Sequence, residues 1–179
     1  MQTKRPPNKP VTFEQVAARL SYNPETGVLT WKRRENAWKG WNETWAGKPA
    51  GSRGSGGEGY SYVTIDFRPR KAHRIAWLLH FGIMPAGFID HINGDRLDNR
   101  IANLRLSTNA ENMRNRAAPR NNSSGYKGVY LDAYTKRWKA QINIAGKNRN
   151  LGRFDTPEEA HAAYRLAAEQ GHGAFARTE

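Results

Sequence analysis

IDHINGDRLDNRIANLRLSTNAENMRN, residues 89–115, sets a carboxylate and an imidazole side by side at Asp90 and His91 and follows them with a series of asparagines. Phe88 to His91 reads as a short strand, Asn93-Gly94-Asp95 as a turn, and Leu104 to Leu106 as a second strand. Thr108 can cap a helix that carries Ala110, Asn112 and Met113. The order is therefore strand, polar loop, strand, helix. Hydrolysis of a phosphodiester needs a base for the attacking water and positive charge for the developing phosphoryl anion. A neutral imidazole serves as that base near neutral pH. A hard divalent cation prefers oxygen donors and keeps most of its waters, so one carboxylate and one amide suffice to hold it. The same residues fit a second reading, in which Asp90 and the asparagines only cap turns in a solvated loop. A calcium loop of EF-hand type does not fit, because Ile92 occupies a ligand position.

Working outward, residues 60–67 alternate as a strand, Arg68-Pro69-Arg70-Lys71 reads as a turn, and His73 to Phe81 as a helix ended by Gly82. Further upstream, Thr12 and Gln15 form a capping box for a short helix, Asn23-Pro24-Glu25-Thr26-Gly27 is a turn, and Val28 to Trp31 a strand. Residues 46–59 are rich in glycine and serine but lack the Gly-Lys-Ser/Thr ending of a phosphate-binding loop. Downstream, three short strands are expected at Val129 to Leu131, Trp138 to Ile144 and Arg149 to Phe154. Thr156-Pro157-Glu158-Glu159 then caps a helix reaching about Gln170, with Ala160, Ala163, Tyr164 and Ala167 as its apolar stripe. The fold class is α+β. The divisions are a disordered basic arm over 1–11, an N-terminal helix and hairpin region over 12–59, a catalytic segment over 60–115, a linker over 116–124 and a C-terminal module over 125–179.

Composition narrows the partners. The 179 residues carry 29 Lys and Arg against 16 Asp and Glu, a net charge of +13 spread along the chain. Such a chain meets a polyanion, and nucleic acid comes first. An anionic membrane surface would call for a basic amphipathic helix, and no strong one is evident. There are no cysteines, which rules out disulfides, cysteine nucleophiles and cysteine-ligated structural zinc. No apolar run approaches the ~18 residues of a membrane span. The basic N-terminus is not followed by the apolar stretch of a signal peptide, and a cytoplasmic location, in a bacterial or phage-infected host cell, is expected.

The pattern DH-I-N-G-D, D-N-R, N-L-R and N-x-x-N resembles the HNH endonuclease motif in its phage and homing-endonuclease branch, built on the ββα-metal fold. The preceding GYSYVTIDFRPRKAHRIAWLLHFG is similar to the upstream part of the same proteins. The resemblance implies that His91 is the general base, that Asp90 and Asn112 hold Mg²⁺ or another divalent cation such as Mn²⁺, and that Asn103 is the catalytic-motif residue bracing the loop. This is the H-N-N variant. His73 and Arg74 open the helix beside the motif and are expected at the DNA.

Residues 125–175 resemble the AP2/ERF DNA-binding domain through G-Y-K-G-V, R-W-K-A-Q-I, L-G-x-F-D-T-x-E-E-A and A-Y-x-x-A-A. That family lays a three-stranded sheet, packed on one helix, in the major groove. Lys127, Tyr130, Arg137, Lys139, Gln141, Asn143, Asn148 and Asn150 fall on the reading face, and Arg114 and Arg116 are expected along the backbone. Tyr, Gln and Asn stand where the family has Arg or Trp, so base preference does not carry over. Together the resemblances imply a metal-dependent endonuclease acting on double-stranded DNA as a monomer or weak dimer. The alternatives are a sequence-specific DNA-binding regulator with an inactive HNH fold, and an RNA- or membrane-associated basic protein.

Overall fold

The computed structural model describes residues 10–53, 59–115 and 122–176. Arg116, most of the expected basic arm, part of the Gly-rich loop and most of the expected linker lie outside them. The chain is α+β and divides into two compact units, residues 1–106 and 107–179.

In the first unit Thr12 caps α1 (Phe13–Ala17) through the expected reciprocal bonds with Gln15. An antiparallel pair follows, β1 (Leu20–Tyr22) and β2 (Leu29–Trp31), closed by the Asn23–Gly27 turn. A one-turn helix α2 (Trp41–Trp45) precedes a three-stranded antiparallel sheet, β3 (Ser52–Arg53), β4 (Ser61–Ile65) and β5 (Arg68–Lys71), in the order β3-β4-β5. Residues 68–71 are thus a strand and not the expected turn. The chain reverses one step earlier, at Asp66-Phe67, and Ile65 pairs with Arg68. Pro69 is compatible with a strand because β5 lies at the sheet edge, where a missing N–H costs little.

Helix α3 (Ala72–Phe81) ends at Gly82, whose left-handed φ of 76° suits a residue without Cβ. It joins two cores. Ile75 and Leu78 pack with Val16, Leu20, Leu29, Val63 and Ile65. Ala76 and Trp77 pack with Ile89 and Leu104, which lie on the paired strands β6 (Phe88–His91) and β7 (Leu104–Ser107). Both strands of the opening stretch therefore form where the sequence places them, and a single 3₁₀ turn at Ile101–Asn103 leads into β7.

In the second unit Thr108 caps α4 (Asn109–Arg114) with Glu111 completing the box. Strands β8 (Val129–Leu131), β9 (Trp138–Ile144) and β10 (Lys147–Phe154) form an antiparallel sheet with β9 central. Helix α5 (Pro157–His172) covers one face, burying Ala160, Tyr164 and Ala168 against Val129, Ala140 and Ile142. The approach at Gly128 is close. A Cβ there would lie 2.4 Å from the Tyr164 ring, and φ is +71°.

Candidate active site and nucleic-acid face

Asp90 and His91 are the last residues of β6, and both are buried. Asp90 is 4 % exposed, and its Oδ2 accepts from Arg105 Nε at 2.9 Å and from the Arg105 terminal nitrogen at 2.7 Å. Arg105 comes from the neighbouring strand β7, so the Arg of the N-L-R triplet answers the Asp of D-H across the ladder.

His91 has a different set of neighbours. Its Nε2 lies 3.3 Å from Asn99 Oδ1. An amide oxygen only accepts, so Nε2 donates and Nδ1 carries the lone pair. Burial lowers the pKa of the imidazole below its ordinary value, against the opposing pull of Asn99 and of Asp90, Asp95 and Asp98. The ring is neutral at pH 7, the state a general base requires. His73 meets His91 edge-on at 5.1 Å between centroids, and Tyr60 lies 5.1 Å from His73 and 6.0 Å from His91. Lys71 Nζ and the Arg96 guanidinium both lie over the Tyr60 ring, at 4.1 and 4.9 Å. Two cations thus stand beside the histidine pair.

Asn103 braces the loop between the strands. Its Oδ1 accepts from Asn93 N at 2.9 Å and its Nδ2 donates to Asp98 O at 2.8 Å. Asp98, held down to about 2 by the Arg100 guanidinium, accepts from Arg100 and from Asn93. The loop is also fixed from behind. Tyr22 donates to Asn99 O at 2.7 Å, and Ile101 N donates to Pro24 O at 3.0 Å. Burial pushes the Tyr22 hydroxyl up to about 12, so it remains a donor at any working pH. Gly27 lies so close that a Cβ there would sit 2.5 Å from Arg100 N.

Two residues expected at the DNA are engaged elsewhere. His73 is buried in the ring cluster, and burial, with the nearby His91, Lys71 and Arg74, lowers its pKa to about 3, so it carries no charge to offer a phosphate. Arg74 donates to the carbonyls of Gly87 and Pro85 at 3.0 and 2.9 Å and braces the entry to β6. Sequence reading missed Asn99, Arg105, Tyr60 and Tyr22. Asn99 and Arg105 stand inside the quoted D-N-R and N-L-R triplets, which was the available signal; nothing in the sequence pairs Tyr22 or Tyr60 with the motif.

Asn112 lies half-buried on α4 in the second unit. No group of three or more His, Asp or Glu side chains among the described residues is arranged to hold a metal ion. The Asp90 carboxylate suits a hard divalent cation that keeps several waters, and does not suit a closed zinc site.

On the C-terminal sheet, the face away from α5 is polar. Register pairs Tyr130 with Lys139, Gln141 with Asn150 and Asn143 with Asn148, and side chains alternate along each strand, so these six share that face. Tyr130 donates to Gln141 Oε1 at 3.0 Å, Asn143 Nδ2 donates to Asn148 Oδ1 at 3.1 Å, and Lys139 Nζ stands over Tyr130. Arg137 is paired with Asp155 at 2.9 Å, and Lys127 Nζ donates to the carbonyl of Arg114. Arg153, opposite Lys139, is a further cation on this face, bonded to Asp132.

The HNH endonuclease family profile matches residues 70–114, the segment that holds Asp90, His91, Asn99, Asn103 and Arg105. The chain belongs to the HNH endonuclease family and is a DNA endonuclease by class. Protein 3.8 of Escherichia phage T7 is 36 % identical over 118 residues, covering 65 % of this chain and 96 % of that protein. The uncharacterized HNH endonuclease L560 of Acanthamoeba polyphaga mimivirus is 32 % identical over 123 residues, 68 % of this chain and 63 % of its own length. The AP2-like ethylene-responsive transcription factor TOE2 of Arabidopsis thaliana is 42 % identical over 60 residues, 34 % of this chain but 12 % of that protein. The chain thus spans just under two thirds of the mimivirus protein and about an eighth of the plant one. No solved structure matches the chain.

Proposed function

We propose that the chain is a metal-dependent endonuclease of duplex DNA with a ββα-metal core, directed to its substrate by an AP2-like C-terminal sheet. The observation that carries the reading is the neutral, buried His91, oriented through Nε2 by Asn99, next to the buried Asp90 carboxylate. His91 Nδ1 takes the proton of the attacking water. Asn99 holds the ring so that Nδ1 keeps its lone pair, and Asn103 holds the loop that presents Asn99. The family resemblance implies Asp90 and Asn112 as ligands of a divalent cation such as Mg²⁺, which would supply positive charge to the phosphoryl and leaving oxygens. Arg105 aims the Asp90 carboxylate. Lys139, Arg153 and Arg137 meet phosphates, while Gln141, Asn143, Asn148 and Asn150 offer amide groups to base edges. One such site cuts one strand per event, so a monomer nicks.

Supercoiled plasmid incubated with Mg²⁺ or with chelator, beside His91→Ala, tests this. Metal-dependent conversion to open circles by the unmutated protein alone is expected. Tight duplex binding with no cleavage at any site tried would point instead to a DNA-binding regulator with an inactive core.

A further inference from the structure

Away from the catalytic loop, the first unit carries an aromatic pocket of about 450 Å³ between α2 and the tip of the β4–β5 hairpin. Trp31, Trp38, Trp41, Trp45 and Phe67 line it, with Arg34. Trp31 and Trp41 form its floor, edge to face at 5.7 Å. The rim is open: Trp38 is 67 % exposed, Trp45 45 % and Phe67 100 %.

Phe67 is costly where it stands. Asp66 and Phe67 turn the hairpin with φ of 50° and 60°. A two-residue turn with both φ positive favours Asn-Gly or Asp-Gly, and a bulky residue at the second position is strained. The ring recovers none of this, since it is fully exposed. The turn is tied back to Arg19, which binds Asp66 at 2.9 Å. A strained, exposed ring at the mouth of an aromatic pocket marks a contact surface.

Charge identifies the occupant. Arg19 and Arg34 line the pocket with one carboxylate, Asp66, and over residues 31–48 the tryptophans are interspersed with Lys32, Arg33, Arg34, Lys39 and Lys48 against Glu35 and Glu43. The Arg34 guanidinium lies 3.6 Å over the Trp41 ring, its backbone is clamped by Asn42, and its Nε has no acceptor among the described residues. Flat apolar faces combined with the unspent Arg34 donor fit a heteroaromatic ring carried on a phosphate chain. We propose that this pocket takes an unpaired nucleobase of the bound DNA, stacked between Trp38 and Phe67. The inference rests on the reading of the chain as a DNA endonuclease. It adds a preference for DNA with a displaced or unopposed base.

The probe is a short duplex bearing one 2-aminopurine opposite an abasic site, compared with its fully paired counterpart, titrated with the full chain in chelator. Stacking on an aromatic ring quenches 2-aminopurine and contributes ~1–3 kcal/mol per base. Quenching is expected, together with binding about 5- to 160-fold tighter than to the paired duplex. Phe67→Gly and Trp38→Ala should each lose most of the quenching and the preference while binding the paired duplex as before. Phe67→Gly relieves the turn, so its melting temperature should equal or exceed that of the parent, which removes misfolding as an explanation. Paired binding with no quenching, or quenching kept in both variants, overturns the pocket assignment and leaves the endonuclease reading intact. Binding to neither duplex overturns both. Self-association in sedimentation that Phe67→Gly abolishes would assign the pocket to a second copy of the chain and overturn the proposal.

Discussion

Replacing Arg105 by methionine removes a charge but keeps much of the side chain's apolar length, so it isolates what the guanidinium does for Asp90. The carboxylate is 4 % exposed and the Arg105 side chain 17 % exposed, and both hydrogen bonds fall on the same oxygen at 2.9 and 2.7 Å. Removing one partner of a buried pair costs ~3–5 kcal/mol because the other charge is left uncompensated. Water reaches part of Arg105, so a smaller loss, about 2–3 kcal/mol, is expected. In urea that moves the midpoint down by ~1–2 M. Tryptophan emission follows the event well, since Trp31, Trp38, Trp41, Trp45 and Trp77 all lie in the first unit. Two further measurements separate charge from packing. Asp90→Asn in the Arg105→Met background should recover most of the loss, because no buried charge then remains. Millimolar Mg²⁺ should raise the midpoint of Arg105→Met more than that of the parent, since a cation on Asp90 replaces the missing one. A midpoint within ~0.3 M of the parent, or a strictly additive double variant, would refute the claim that Arg105 neutralises Asp90.

Three other outcomes are expected. His73 has a folded pKa of about 3 against an ordinary 6.5, so the unfolded chain takes up its proton first. The stability this ring confers is complete above pH 6.5 and falls as the pH drops toward 3. About 2 kcal/mol should be lost by pH 5, and His73→Phe should flatten that limb of the urea-midpoint profile. His91 is lowered by burial too, so part of the limb stays in that variant. Asn99→Ala removes the acceptor on His91 Nε2 and should cut the nicking rate by ~10- to 100-fold with duplex affinity unchanged, as gel-shift and plasmid assays would read. Gly128→Ala places a methyl 2.4 Å from the Tyr164 ring at φ +71° and should destabilise the second unit by more than ~2 kcal/mol, seen in its own thermal transition.

The sequence was most legible where the chemistry is local. Capping boxes at Thr12 and Thr156 and the cap at Thr108 form as read, because each needs only residues three apart. Strand β9 follows from period-two alternation, with Ala140 and Ile142 buried. Residues 68–71 read as a turn but form a strand, because an edge strand tolerates Pro69. The turn hid in Asp66-Phe67, a pair with no turn signature because Phe stands where Gly is expected. His73 is expected at the DNA because the resemblance sets it, with Arg74, at the start of the helix beside the motif. Burial is decided by the rings of Tyr60 and His91, one from each side in the chain, and adjacency cannot show that.

The catalytic loop is therefore a long-range construction. Asn99 orients His91 from eight residues away, but Asn99 is itself held by Tyr22, which is 77 residues upstream. The Asn23–Gly27 turn presses against Asn99 and Arg100 so closely that only a residue without Cβ fits at Gly27. The helix and hairpin that precede the family motif thus form the back wall of the site. The matched segment 70–114 supplies the reacting groups, but their geometry is set by residues that it does not contain. This explains why a loop so rich in short polar side chains is ordered without cysteines: its backbone carbonyls and amides are satisfied by Tyr22, Pro24 and Asn103, partners that do not depend on a bound ion.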